Sequence, residues 1–377
     1  MAFEPLRVGI MGCGTISGIY LQNSKLFDAF DIVAVADTRL NAAQARADEY
    51  GVAKAYTPEQ LLADPDVELV INLTPHHAHG PVALSILEAG KHVYNEKPLA
   101  VYREEAQKMF AAAEARNLLI GCAPDTFMGG AWQTARHMLD EGVIGEPVGA
   151  SACLMARRGP RPGAAPRPAN PDGYVSFYRT SFFQFGVTWS FDRGPYYLHA
   201  LINLLGPVSR VTGSAQITWK EREDIEGMVK VDTPTHFAGV FDFVNGAVGT
   251  FLVTSDFYDT GLPHIEIYGS KGSLRCIDPN NFGGELYLRK ADSPELIPIE
   301  SKFAHNQNSR GIGVADMAAA IRCGRPHRAN GKMAYHVIDI IHALHEASAE
   351  GRHIMLESTC ERPAPLPQDL PDWKIDE

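Results

Sequence analysis

The chain has 377 residues, 45% hydrophobic and 21% charged, enough for two domains at about 150 residues each and for a core that needs no metal or disulfide staple. Its net charge of −11, from 34 Lys+Arg against 45 Asp+Glu, argues against a protein that coats nucleic acid, which requires clustered cations. No apolar run approaches the ~18 residues that span a bilayer, and the first ten residues lack the basic and apolar regions of a secretory signal.

Residues 6–11, LRVGIM, form an apolar β-prone run ending in Gly12-Cys13-Gly14. A helix-compatible stretch follows. Next come a second run from Ile32 to Ala36 closing on Asp37, an Ala-rich polar-spaced segment over 41–50, and a third run from Val67 to Leu73 ending at Thr74-Pro75. Strand and helix alternating at this spacing predict βαβ units on a parallel sheet. Ala106, Met109, Phe110 and Ala113 have the i, i+3, i+4, i+7 spacing of a core-facing helix, and Leu118 to Cys122 reads as another buried strand. This first unit spans 1–124.

The texture changes beyond residue 124. Segments 148–156 and 208–217 read as strands, and Asn245-Gly246 joins THFAGVFDFV to AVGTFLVTS. This pair predicts a tight hairpin turn with φ > 0 at both turn positions. A second turn is expected at Ser270-Lys271, and helices near 129–141, 195–205, 311–323 and 334–348. Residues 125–362 thus form a second unit around a mostly antiparallel sheet, and 363–377 a Pro-rich extended tail. Residues 157–171, RRGPRPGAAPRPANP, are too proline-rich for regular helix or central strand. They read as a solvated loop or subunit-contact arm, or, through Arg157, Arg158, Arg161 and Arg167, as recognition of an acidic or large glycosidic substrate. The six cysteines are scattered, with no C-x₂₋₄-C pair. They read as reduced thiols of a cytoplasmic protein.

Gly12 and Gly14 sit between a strand and a helix, where the first glycine permits a tight turn and the second lets backbone approach a pyrophosphate at the helix N-terminus. An ordinary strand–helix turn can also use two glycines. Asp37, about 20 residues on at the end of the second strand, adds the carboxylate that accepts from ribose hydroxyls, although a helix N-cap fits the same position. A dinucleotide site is the reading. Asp37 favours NAD over a 2′-phosphate, while Arg39, with Thr38 between them, leaves NADP open.

The segments N-L-T-P-H-H-A-H (72–79) and E-K-P (96–98), with the A-G-K-H-V turn before the latter, resemble the Gfo/Idh/MocA oxidoreductases. The resemblance extends through GVIGEP, GPYYLHALINLLGPV and IRCGRPHRANGKMAYHVIDIIHAL. It implies an α/β protein: an N-terminal Rossmann domain plus a C-terminal α+β domain with a large, mostly antiparallel open sheet that often mediates oligomerisation. It also implies hydride transfer between a nicotinamide cofactor and a hydroxyl or keto carbon of a sugar, polyol or glycoside. Carried over, Gly12, Gly14, Thr15 and Ile16 cradle pyrophosphate, and Asp37 holds the adenosine ribose. Thr74, Pro75, His76 and His79 line the nicotinamide side, Glu96 lies near the nicotinamide ribose, and Lys97 reaches the substrate oxygen. On physical grounds, a cation near a carbinol oxygen stabilises developing alkoxide, although most lysines are simply solvated. His-His-x-His lacks a supporting Cys or carboxylate cluster, so no metal is expected.

One segment departs from the family pattern D-x-G-x-H-x-x-D. Here it reads Asp192-Arg193-Gly194-Pro195-Tyr196-Tyr197-Leu198-His199. Either Tyr196 is the acid/base, its phenol lowered by Lys97, or His199 takes that role, or both only pack and the chemistry is altered. The aromatic run FFQFGVTWSF (182–191) suits a pyranose face, and equally a core. Three functions stay open: a sugar or polyol dehydrogenase using NAD(P), an NAD-dependent glycoside-cleaving enzyme, and a dinucleotide-binding regulator without turnover. The expected partners are a carbohydrate-type small molecule and a second copy, as homodimer or homotetramer through the C-terminal sheet, with no nucleic acid and no membrane.

Overall fold

The computed structural model describes residues 3–155, 183–224 and 227–376. The arginines and prolines of 157–171, and Phe182, lie outside these.

The first unit is β1 (Leu6–Met11), α1 (Ser17–Ser24), β2 (Phe30–Ala36), α2 (Leu40–Tyr50), β3 (Lys54–Tyr56), α3 (Pro58–Ala63), β4 (Leu69–Asn72), α4 (His79–Glu88), β5 (His92–Asn95), α5 (Arg103–Glu114) and β6 (Ile120–Cys122). Its strands run parallel in the order β3-β2-β1-β4-β5-β6. The order reverses at β1/β4, and the crevice at such a point, beyond the carboxyl ends of the strands, is where open α/β sheets bind ligands. Apart from exposed Arg7, β1 and β4 are buried on both faces and read as mostly apolar runs, because a parallel sheet flanked by helices leaves no wet side.

The second unit holds α6 (Gly130–Asp140), β7 (Pro147–Met155), α7 (Gly194–Leu205), β8 (Val208–Gln216), the small hairpin β9 (Glu221–Asp224) and β10 (Gly227–Lys230), β11 (His236–Phe243), β12 (Val248–Thr254), β13 (Ile265–Gly269), β14 (Gly272–Cys276), β15 (Leu286–Lys290), β16 (Ile297–Ile299), α8 (Ile312–Cys323), α9 (Gly331–Glu350) and β17 (Ile354–Met355). Nine of these strands form one sheet, β16-β15-β14-β13-β7-β12-β11-β8-β17, antiparallel except for the β7/β12 pair. Alternation decides its faces: Phe237, Phe241 and Phe243 of β11 point into the core, where α7 and α9 lie, while Ala238 faces out. Val248 and Tyr268, 50% and 40% exposed, sit on the outer side.

One sequence expectation is revised, and two are added to. The Asn245-Gly246 turn has positive φ only at Gly246 (φ +91°). Gly246 N–H donates to Phe243 O (3.0 Å), and Ala247 N–H donates to Asn245 Oδ1 (3.0 Å), so the bend centres on Val244-Asn245 with glycine following in the left-handed region. The Asn245 side chain captures the next free amide, which a mirror-image turn does not offer it. Second, α8 packs against β2 and β6 of the first sheet, so the Rossmann unit is completed by residues far downstream of 124. Third, the tail is extended but docked: Leu366 is buried, its N–H donates to Gln133 Oε1 (2.8 Å), and Trp373 meets Phe27 edge-on at 5.1 Å.

Candidate active site

The glycine loop is built from backbone. Gly12 has φ +106°, and a Cβ there would lie 2.7 Å from the Leu73 carbonyl oxygen, so only glycine fits between β1 and the loop after β4. A Cβ on Gly14 would meet nothing within 4 Å, leaving open space over the loop. No side chain caps α1, and Ser17 Oγ is turned back to donate to Gly14 O (2.7 Å). An uncapped helix start behind two glycines, with Thr15 and Ile16 exposed at its tip, fits a pyrophosphate. Asp37 ties this loop to the end of β2. Its Oδ2 accepts from Cys13 N (2.9 Å) and its Oδ1 from Arg39 N (2.9 Å), with Thr38 Oγ1 3.5 Å away and Arg39 Nε 3.6 Å away.

Two asparagines on neighbouring strands hold the next loops. Asn72 Nδ2 donates to Asn95 Oδ1 (3.0 Å), Asn72 Oδ1 accepts from Thr74 Oγ1 (2.6 Å), and Asn95 Nδ2 donates to Leu99 O (2.8 Å). His79 bridges the two loops, Nδ1 lying 2.6 Å from Pro98 O and Nε2 2.7 Å from Thr74 O. Both carbonyls favour a protonated ring, but burial and neighbouring His76 outweigh them and pull its pKa down to about 3. Glu96 accepts from the Tyr20 hydroxyl on α1 (3.0 Å) and from Lys97 N (3.1 Å), linking the glycine helix to the lysine loop.

At the centre, Lys97 Nζ donates to Asp192 Oδ1 at 2.6 Å, and His76 Nε2 lies 3.4 Å from the same oxygen. Asp192 ends the single helical turn Trp189–Asp192 that precedes α7, so this node is drawn from both domains. The three side chains are nearly buried, at 11%, 9% and 6% exposure for Lys97, Asp192 and His76. Burial alone would raise the Asp192 pKa. The Lys97 ammonium and, beside it, His76 overcome it and hold the carboxylate well below its usual range.

Tyr196 presents its ring face to Lys97, with Nζ 5.6 Å from the centroid, and feels the charge of the Arg310 guanidinium. Burial outweighs the Lys97 ammonium, which lowers the phenol pKa as expected, and leaves the phenol above its ordinary value. His199 stacks on Phe127 (6.1 Å) and places Nδ1 2.8 Å from Pro195 O in its own helix. Burial lowers its pKa to about 4. Among the described residues, no hydrogen bond or ion pair joins it to Lys97 or Asp192. Of the aromatic run, Phe185 and Phe191 pack on His342 and His345 of α9.

Sequence reasoning missed Arg310 and Asp125. Arg310 is held by Asn308 Oδ1 and Asn280 Oδ1, each 2.7 Å away. Asp125 accepts from Gly311 N and Gly313 N, both at 3.0 Å, and so caps α8. Burial raises its pKa to about 6. Neither residue carries a local motif; a Gly-x-Gly pair opening the predicted helix near 311 was the one available hint of a buried anion there.

Residues 6–123 match the family model described as an oxidoreductase family with an NAD-binding Rossmann fold, and residues 132–275 match the model of the GFO/IDH/MocA C-terminal domain. The chain is 32% identical over 303 residues to 1,5-anhydro-D-fructose reductase of Ensifer adhaerens, covering 78% of this chain and 83% of that protein. It is 34% identical over 149 residues to an inositol 2-dehydrogenase of Salmonella typhimurium, covering 38% of this chain and 44% of that one. Among solved structures, an NAD-binding oxidoreductase from Klebsiella pneumoniae superposes with a TM-score of 0.79 at 22% identity, covering 94% and 99% of the two chains. Levoglucosan dehydrogenase in complex with NADH and L-sorbose superposes at 0.77 and 21% identity, covering 94% and 100%. At such identities the structural likeness speaks for the fold.

Proposed function

The chain belongs to the GFO/IDH/MocA family of NAD-binding oxidoreductases, and from that membership we propose that it moves a hydride between NAD and a carbinol or carbonyl carbon of a sugar or polyol. The observation that carries the reading is the buried Lys97–Asp192 pair, 2.6 Å apart, on the same carboxyl-end edge of the sheet as the glycine loop. When bound, the dinucleotide supplies the hydride acceptor or donor. The chain supplies the rest: Gly12, Gly14, Thr15 and Ile16 the phosphate cradle, Asp37 and Thr38 the ribose edge, Thr74, Pro75, His76, His79 and Glu96 the walls on the nicotinamide side. The Lys97 ammonium stabilises negative charge on the substrate oxygen, and Asp192 fixes its position. Asp37, with its carboxylate turned to the loop, favours NAD over NADP, because a 2′-phosphate would meet it before Arg39.

The carbohydrate class rests on the names of the reductase and dehydrogenase relatives. We further propose a homodimer or homotetramer through the outer face of the nine-stranded sheet, where Val248 and Tyr268 stand exposed, and a reducing compartment, the cytoplasm, for six free thiols. No helix of the described residues is long and apolar enough to cross a membrane.

The test is titration with NAD⁺, NADH, NADP⁺ and NADPH, then a sugar, polyol and glycoside panel followed at the nicotinamide absorbance. Tight NAD(H) binding with turnover of a carbinol supports the reading. Glycoside cleavage without net NADH replaces it with the oxidation–elimination alternative, and binding without any turnover replaces it with the regulator.

A further inference from the structure

The helix behind the glycine loop is not built as a packing helix. Among the buried residues of α1, Ser17, Asn23 and Ser24 are polar, and Tyr20 carries a hydroxyl. A helix that only packs presents an apolar stripe on that face. Ser17, Tyr20 and Asn23 each have a particular partner instead. Ser17 Oγ donates to Gly14 O at 2.7 Å, Asn23 Nδ2 donates to Asn308 O and Arg310 O at 2.8 Å each, and the Tyr20 hydroxyl donates to Glu96 Oε1 at 3.0 Å. Tyr20 thus reaches from the helix after β1 to the loop after β5, two strands along the sheet. We infer that Tyr20 positions Glu96, so that the helix receiving the diphosphate also sets the carboxylate that accepts the hydroxyls of the nicotinamide-side ribose. The inference rests on the NAD-binding oxidoreductase reading above.

Glu96 lies just beyond the carboxyl end of β5, beside Lys97 and on the same edge of the sheet as the glycine loop. Oε1 accepts from Tyr20 and Oε2 from the Lys97 backbone N–H at 3.1 Å, so each oxygen is held by one uncharged donor. A carboxylate has about four acceptor positions. Two are therefore taken, and one remains on each oxygen for a donor from outside. Two adjacent hydroxyls, as on a ribose, supply such donors side by side. Glutamate has three rotatable bonds, and a ligand that must first order them binds less tightly. Tyr20 and the Lys97 amide remove that freedom beforehand, one from a helix and the other from backbone. Tyr20 is itself buried. Burial, with the charges of Glu96 and Asp125, pushes its phenol well above the ordinary range, so the hydroxyl keeps its proton and stays a donor. The bond also joins the two ends of the dinucleotide site, since the start of α1 faces the diphosphate and the lysine loop faces the nicotinamide.

Tyr20 acts through Glu96, so the test must separate positioning from packing. Fluorescence titration of Tyr20→Phe should show NADH affinity reduced roughly tenfold, while ADP, which carries a diphosphate but no nicotinamide half, binds within about twofold of wild type. Equal losses for ADP and NADH overturn the inference, because Tyr20 then only shapes the helix. NADH affinity within about twofold of wild type overturns it too. In the Glu96→Ala background, Tyr20→Phe should change NADH affinity by less than about twofold, and a second loss as large as the first overturns the path through the carboxylate. Should Tyr20→Phe fail to fold, Glu96→Ala alone must reproduce the split between NADH and ADP, and its absence overturns the inference. The oxidoreductase reading is judged apart from this. If wild type binds NADH and oxidises no carbinol, that reading fails, and the titrations still decide the role of Tyr20.

Discussion

The glycine loop and the lysine node lie on the same edge of the parallel sheet and are built in opposite ways. The loop is backbone, held by residues from 12 to 37 and shaped by the absence of side chains. The node is side chains, brought from three distant segments at His76, Lys97 and Asp192 and surrounded by further contributions from Arg310 and Tyr20. A cofactor shared by many enzymes asks for a shape, which a short contiguous stretch can supply. Chemistry on a particular hydroxyl asks for charges of chosen pKa in a dry place, and here side chains from both domains supply it.

The sharpest break between the two regions comes from Lys97→Ala. It should cut turnover about 10³-fold while NADH affinity, measured by fluorescence titration, stays within threefold. A parallel loss of both would mean that the regions are one. The converse is Gly12→Val, whose Cβ would press on the Leu73 carbonyl at a backbone angle that side chains avoid. NADH affinity should fall roughly 10²-fold, at about 1.4 kcal/mol per tenfold, and the melting temperature should drop with it. Unchanged affinity would show that the loop tolerates what its geometry forbids.

Acid should destabilise the buried interior. His79 has its pKa lowered to about 3, and His92, His199, His336 and His345 to about 4, burial being the largest cause in each. A ring whose folded pKa lies below its unfolded value of about 6.5 contributes stability that is complete above pH 6.5 and lost as pH falls toward 4. The unfolding free energy should therefore decline across that window. His199→Phe should flatten the decline by about 1.4 kcal/mol per pH unit, one proton's worth. Asp125 works the other way: its pKa of about 6 in the fold lies above the unfolded value, so its burial costs most above pH 6. An unchanged slope in the His199 variant, followed by denaturant titration, would remove that ring from the account. The smallest effect belongs to a position remote from both regions. Gly246→Ala, at φ +91° with open space around it, should cost about 1 kcal/mol in denaturant unfolding without touching kinetics.

The parallel half was legible because β1, β2 and β4 each hold an apolar run and each glycine of the loop stands where a strand turns into a helix. Lys97 was legible through Glu96 and Pro98 around it. The rest of the node was not. Arg310, whose charge bears on Tyr196, enters just ahead of α8 with nothing in Asn308-Ser309-Arg310 to mark it. The His76–Asp192 contact crosses from one domain to the other, and no periodicity within either segment encodes it. Asn245 misled for a local reason, since its side chain found the Ala247 amide and moved the bend one residue back.

The docked tail and α8 bear on the order in which the molecule can be made. Asn23 of α1 donates to carbonyls of Asn308 and Arg310, 285 and 287 positions downstream, Phe27 waits for Trp373, and β2 and β6 wait for α8. During synthesis the dinucleotide half therefore emerges first and is finished last. A ribosome moving at about 5–20 residues per second would hold it open for tens of seconds, with Phe27 and Phe30 lacking cover. Nascent chains stalled before residue 312 should bind a hydrophobic-surface dye or a chaperone, and release it once residues 312–376 have cleared the tunnel.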